Sequence, residues 1–170
     1  HAERGVALQV LDRLVALAVG EPDILGGNVI LEIDEGLAAT RWRDLPCRLT
    51  LHEVPCGDFT IGEFRVASAL VCHPGPTVAY RINTTRGALA YFPDHEPALG
   101  VQKFPMGRDW TSGCALAADV DLLIHDAQYS REEYPHHVGW GHSAVDDTLR
   151  FAALAGVKQL VPFHHDPAHN

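Results

Sequence analysis

Eleven of the 170 residues are histidine, and seven of those fall between His125 and Asn170. Imidazole is the commonest metal ligand and the side chain that exchanges a proton near neutral pH, so such a cluster points to a site. Four places share one local pattern, a short apolar run followed at once by His or Asp. His73 follows the run that ends at Val71, and Asp94 follows the run that ends at Phe92. His125 and Asp126 close the run that begins at Val120, and His164, His165 and Asp166 follow the last run. In open α/β sheets ligands gather at the carboxyl ends of strands. Imidazole nitrogen and carboxylate oxygen together are the donor set of zinc, and a catalytic zinc keeps one position for water. A carboxylate such as Asp94 can bridge two ions, and two ions roughly 4 Å apart can clamp the attacking and leaving oxygens of a phosphodiester.

The elements that must position these residues are legible in the spacing of apolar positions. Residues 6–19 place Val6, Val10, Leu14 and Leu17 on one helical stripe, stopped by Gly20 and Pro22. Gly26-Gly27 reads as a turn and residues 28–33 as a short strand. From residue 44 the pattern changes to strands and tight turns, with strands expected over 48–54, 59–61, 64–71, 78–83 and 88–92. The last two should form a hairpin through a turn at 84–87. After residue 111 the pattern is α/β. A short helix is expected over 112–118, a buried strand over 120–125, a loop over 126–141, a helix over 143–155 and a final strand over 158–163. Ser143 is the expected helix cap, with Asp146 three residues on in a near capping box and Gly156 as the helix stop. Asp146 and Asp147 suit a helix N-terminus better than a metal.

Composition narrows the partners. The net charge is −9, with 13 Lys and Arg against 22 Asp and Glu, so broad electrostatic binding of nucleic acid is not expected. A small or locally held phosphodiester stays open, because a metal can supply the positive charge. No apolar run approaches the roughly 20 residues of a membrane span, and no leader-like start is visible. Cys47, Cys56, Cys72 and Cys114 form no C-x-x-C pair and read as reduced thiols of a cytoplasmic protein.

Four stretches carry a family resemblance: VCHPGPTVAYRI, LAYFPDHEP, DLLIHDAQYSREEYP and GWGHSAVDDTLRFAALAGVKQLVPFHHDP. In that order and spacing they resemble the metallo-β-lactamase-fold hydrolases of the ribonuclease Z and phosphodiesterase branch, over roughly three quarters of the chain. The resemblance implies an α/β fold, a partial αββα sandwich with a mixed sheet and outer helices. It places residues 41–170 in the C-terminal part of that fold and leaves residues 1–40, a helix and a strand, of unclear origin. It implies a metal-dependent hydrolase, of phosphodiesters above all, that uses a metal-bound hydroxide. His73, Asp94 and His164 match metal-ligand positions, with Asp94 as the bridging aspartate. His142 matches the histidine that assists at the scissile phosphate, and Asp126 its acidic partner. An intact relative would hold two Zn2+, with Mn2+ or Fe2+ as alternatives.

The family's leading motif, H-x-H-x-D-H, does not occur in these residues; His136-His137 and His164-His165 are adjacent pairs of different geometry. Weak or absent metal binding and impaired activity are therefore expected of this chain alone, together with a homo-oligomer that covers the exposed sheet. Two other readings stand beside the enzyme: an inactive remnant serving as a binding module, and a site completed by His1, His52 or another subunit. Among the remaining candidates, His125 reads as a packed histidine, His95 and His169 as solvent-facing, and His136 and His137 as loop residues that could touch substrate. Tyr129, Trp110 and Trp140 read as loop anchors.

Overall fold

Strand alternation organises the first half of the described chain. The computed structural model describes residues 56–101 and 103–169, which belong to one compact unit, Pro55–Asn170. The expected elements at 6–19, 28–33 and 48–54 lie outside the described residues. β1 (Gly57–Ile61), β2 (Phe64–Leu70), β3 (Val78–Thr84) and β4 (Gly87–Phe92) form an antiparallel meander, and β5 (Leu122–Asp126) and β6 (Gln159–Phe163) continue it in parallel. The six strands lie in sequence order across one mixed sheet. The β3–β4 turn is closed by Thr84, whose hydroxyl donates to the Gly87 carbonyl and accepts the Arg86 N–H. Gly87 itself has φ +151°, and a Cβ there would lie 2.5 Å from Asp121 Oδ2, so the turn needs glycine.

The parallel connections run through helices on one face of the sheet. α1 (Cys114–Ala117) precedes β5, and α2 (Val145–Ala155) precedes β6. Phe151, Ala152 and Ala155 of α2 pack with Ala79, Ala90, Phe92 and Leu123 of the sheet and with Cys114, Leu116 and Ala117 of α1. Burying side chains of this size contributes about 1.5–3 kcal/mol for each large one. α2 ends as its sequence implies: Gly156 turns left-handed at φ 75°, and the N–H groups of Gly156 and Val157 reach the Ala153 and Ala152 carbonyls.

Two expectations are corrected. The short helix begins at Cys114 rather than residue 112, because Gly113 adopts φ 71° and presses on the Phe92 ring. The N-cap of α2 is Ala144, with no side-chain cap bond. Ser143 does not cap, because Ala144 after it is extended in a bridge with Tyr129 and is itself the N-cap. Its hydroxyl donates instead to the His95 carbonyl at 2.6 Å. Among the described residues no helix is long and apolar enough to cross a membrane.

Candidate metal centre

Strand register brings the polar residues to one edge. Phe92 of β4 lies beside His125 of β5, and His125 beside Pro162 of β6. β2 runs parallel to β4, since each is antiparallel to β3. The loops holding His73 and Asp94, the last residue of β5 (Asp126) and the residue after β6 (His164) therefore share the same edge. His142 arrives from the loop before α2. The expectation of four strands delivering His or Asp to one end describes what is seen.

Asp94, Asp126, His142 and His164 each bring one ligand atom into a group whose members all lie within 4.8 Å of one another. Asp94 Oδ1 is 3.1 Å from His164 Nδ1 and 3.9 Å from His142 Nδ1. It is a buried acceptor with no well-aligned donor, which is the environment a cation would satisfy. Burial works against ionising Asp94, yet His164, with His142 and His73 behind it, outweighs that, and the carboxyl titrates below the usual aspartate range. His164 takes φ 60°, a left-handed backbone that is uncommon outside glycine. That kink lies in the first residue past β6, where its ring meets Asp94.

Asp126 and His142 form a second pair. His142 Nδ1 lies 2.8 Å from Asp126 Oδ2. The carboxylate is fully buried and also accepts the His95 N–H on Oδ2 and the Gln128 N–H on Oδ1, both at 3.1 Å. Three donors fix this carboxylate in place and orient the imidazole with Nδ1 as the bound nitrogen.

His73 stands outside the four-atom group. Its ring meets His142 edge-on at 5.7 Å. Nδ1 is engaged by the Gly75 backbone and by Thr77 Oγ1 at 2.8 Å, which leaves Nε2 as the nitrogen open to a further partner. The loop before His142 packs directly on this ring: at Gly141, φ +97°, a Cβ would lie 2.0 Å from His73 Cδ2 and 2.6 Å from Nε2.

Behind the edge lies a group the sequence reading only half anticipated. His125 is packed in the core as expected, but His95, expected at the surface, is 0% exposed. His95 Nδ1 and His125 Nε2 are 2.9 Å apart, and His125 Nδ1 donates to the Asp126 carbonyl at 2.6 Å. Both rings pack against Phe92 and Phe151. Burial lowers His125 to about 4, and burial together with the neighbouring His125 holds His95 well below the usual histidine range. These two are therefore neutral. His95 is carried inward because its neighbour Asp94 must reach the edge and its own N–H is held by Asp126.

Tyr129 is a loop anchor, 3% exposed, whereas Trp110 at 79% and Trp140 at 60% anchor little. His137 stacks on Tyr129 with ring centroids 4.3 Å apart, so it is committed to the loop's own packing. Glu96, which nothing in the sequence singles out, is completely buried. No local pattern signals that.

The donor chemistry of the cluster Asp94, Asp126, His142 and His164, mixed imidazole and carboxylate, fits a divalent cation. Comparison with known proteins agrees. A model of the β-lactamase superfamily domain matches residues 28–165. A ribonuclease Z of Thermosynechococcus vestitus is 26% identical over 159 residues, covering 71% of this chain and 39% of that protein. A ribonuclease Z of Rippkaea orientalis is 29% identical over 143 residues, covering 72% of this chain and 45% of that protein. The short form of human tRNase Z superposes with a TM-score of 0.53 at 23% identity, over 65% of this chain and 40% of that one. The metallo-β-lactamase-fold protein YhfI of Bacillus subtilis gives 0.53 at 18% identity, over 73% and 47%. The likeness to the two solved structures is one of fold. The chain spans less than half the length of these curated relatives. With the match running through both the sheet and its polar edge, the chain belongs to the family of the β-lactamase superfamily domain.

Proposed function

We propose that this chain is the part of a metal-dependent phosphodiesterase that holds the acid–base pair and part of the metal shell. The substrate would be a phosphodiester of the kind found in RNA, as the printed names of the ribonuclease Z relatives suggest. The observation that carries the reading is the His142–Asp126 bond of 2.8 Å set 3.9 Å from Asp94. A lone buried carboxylate–imidazole pair could be structural; one opening onto a shared donor cluster is suited to moving a proton at a reacting centre.

In this reading His73, Asp94 and His164 hold the ion, zinc first, with manganese or iron as alternatives. When bound, the ion supplies Lewis acidity at phosphorus and acidifies the attacking water. His142 uses Nε2, the nitrogen that Asp126 leaves available, to pass a proton to the departing oxygen. Asp126, held by its three donors, orients the ring while His142 carries that proton. The two remaining donors of the cluster, Asp126 and His142, are thus tied to each other rather than to metal.

Elemental analysis and turnover of bis(p-nitrophenyl) phosphate test this together. The chain, supplied with a partner half bearing the H-x-H-x-D-H motif, should hold divalent metal and cleave the diester in a chelator-sensitive way. A metal-loaded protein with no diesterase activity would sink the reading. An empty one would leave the fold as a binding module.

A further inference from the structure

We propose that Glu96 is a positioning residue of this site, a buried carboxylate that sets the loop delivering His142 against His73. It rests on the proposed function for its catalytic consequence, though not for its geometry. Glu96 is 0% exposed. Oε1 accepts the Tyr134 hydroxyl at 2.9 Å and the Gly139 N–H at 2.8 Å, and Oε2 accepts the Gly141 N–H at 2.8 Å. Its own N–H donates to the Cys72 carbonyl at 2.9 Å. One residue therefore ties three segments: the start of the His73 loop, the Asp94 loop, and the loop 134–141 that ends in His142.

The placement of those bonds is specific. Gly141 has no Cβ, and its backbone lies so close to His73 that one would collide with the ring. The Glu96–Gly141 bond holds the loop at that distance one residue before His142. Charge-assisted bonds from neutral donors are about twice as strong as neutral ones, and a fully satisfied buried carboxylate specifies one arrangement where a surface loop would sample many. Burial and the adjacent Glu96 also raise the Tyr134 phenol, so that it remains a donor. Glu96 is not a ligand in this account, since all three of its acceptor bonds point into the loop.

The test compares Glu96→Gln and Tyr134→Phe with the parent in the full chain. A glutamine amide must turn its NH2 towards either the Gly139 or the Gly141 N–H, so one bond is lost whichever way it sits. Amide exchange at Gly141 and Gly139 of the metal-free chain should quicken at least about tenfold in Glu96→Gln, because protection reports local opening. The ring NMR signals of His142 and His73 should shift or split. In zinc-loaded, complemented protein, kcat on bis(p-nitrophenyl) phosphate should fall about 10- to 100-fold, as misplacement by an ångström does. KM and zinc per chain should be unchanged. Tyr134→Phe, which keeps the carboxylate, should show the same changes at smaller size, and it stands in if Glu96→Gln does not fold. Unchanged exchange and ring signals in both variants overturn the proposal, as does a kcat loss that tracks zinc loss. If the parent itself shows no turnover, the functional reading has failed, while exchange and ring signals still decide Glu96.

Discussion

Asp126 belongs to two histidine clusters at once. Its carboxylate holds His142 at the sheet edge, and its main-chain carbonyl holds His125, which meets His95 in the core. The residue types are the same and the outcomes opposite. His142 has two carboxylates near its Nδ1, from Asp126 and Asp94. His95 and His125 have each other and the rings of Phe92 and Phe151. An imidazole beside carboxylates can carry charge; one among aromatic rings stays neutral and serves as a hydrogen-bond link. A histidine-rich sequence therefore says little until each ring's neighbours are known.

Four measurements would break or sharpen this contrast. The largest effect is expected from Asp126→Asn, which keeps the side-chain shape and the main-chain carbonyl but removes the charge. Diesterase kcat should drop about 10²- to 10⁴-fold, the span of acid–base catalysis, while His95 and His125 ring signals stay in place. A drop below tenfold would mean the pair is not used in the reaction. Next, Gly141→Ala should cost about 1–3 kcal/mol from the strained φ alone, and should displace the His73 ring. Urea unfolding and the His73 NMR signals check this, and an unshifted ring refutes the close approach.

His125→Leu attacks the other cluster. It leaves His95 Nδ1 without its partner, while Thr148 Oγ1 still donates to the Asp126 carbonyl, at a cost of about 1–3 kcal/mol, with metal content unchanged. Loss of metal at full stability would show that the two clusters are not separable in this way. The last measurement is with pH. His125 titrates at about 4 when folded against 6.5 ordinarily, so between those values the unfolded chain binds a proton that the folded chain refuses. Stability from this residue is whole above pH 6.5 and declines as pH falls towards 4. The difference in urea midpoint between parent and His125→Leu should narrow over that window, and a constant difference would contradict a neutral His125.

The edge was legible in the sequence because an apolar run ending in His or Asp is a local signal, and β2, β4, β5 and β6 each carry it. The parallel half was legible too, through the apolar stretch of β5 and the Gly156 stop. What stayed hidden depends on residues distant in sequence. Ser143 looks like a cap until residues beside it pair with Tyr129, and its hydroxyl is drawn to His95, 48 residues away. Of Pro93-Asp94-His95-Glu96 only Asp94 is not fully buried, and the polar side chains drawn inward are His95 and Glu96. Their partners, His125 for one and residues 134–141 for the other, are supplied by elements that come later in the chain.

The pleat of β5 has a consequence for which sequence changes the site can survive. Leu123 and His125 face the helices, and Asp126, one residue on, belongs to the other face, because successive side chains of a strand alternate. The wall between the neutral cluster and the reactive one is thus a single peptide bond. Substitutions along 122–126 change one cluster or the other, but an inserted or deleted residue would exchange them, turning a carboxylate into the core and an imidazole into its place at the edge. For this strand, length is the more stringent inheritance than letter.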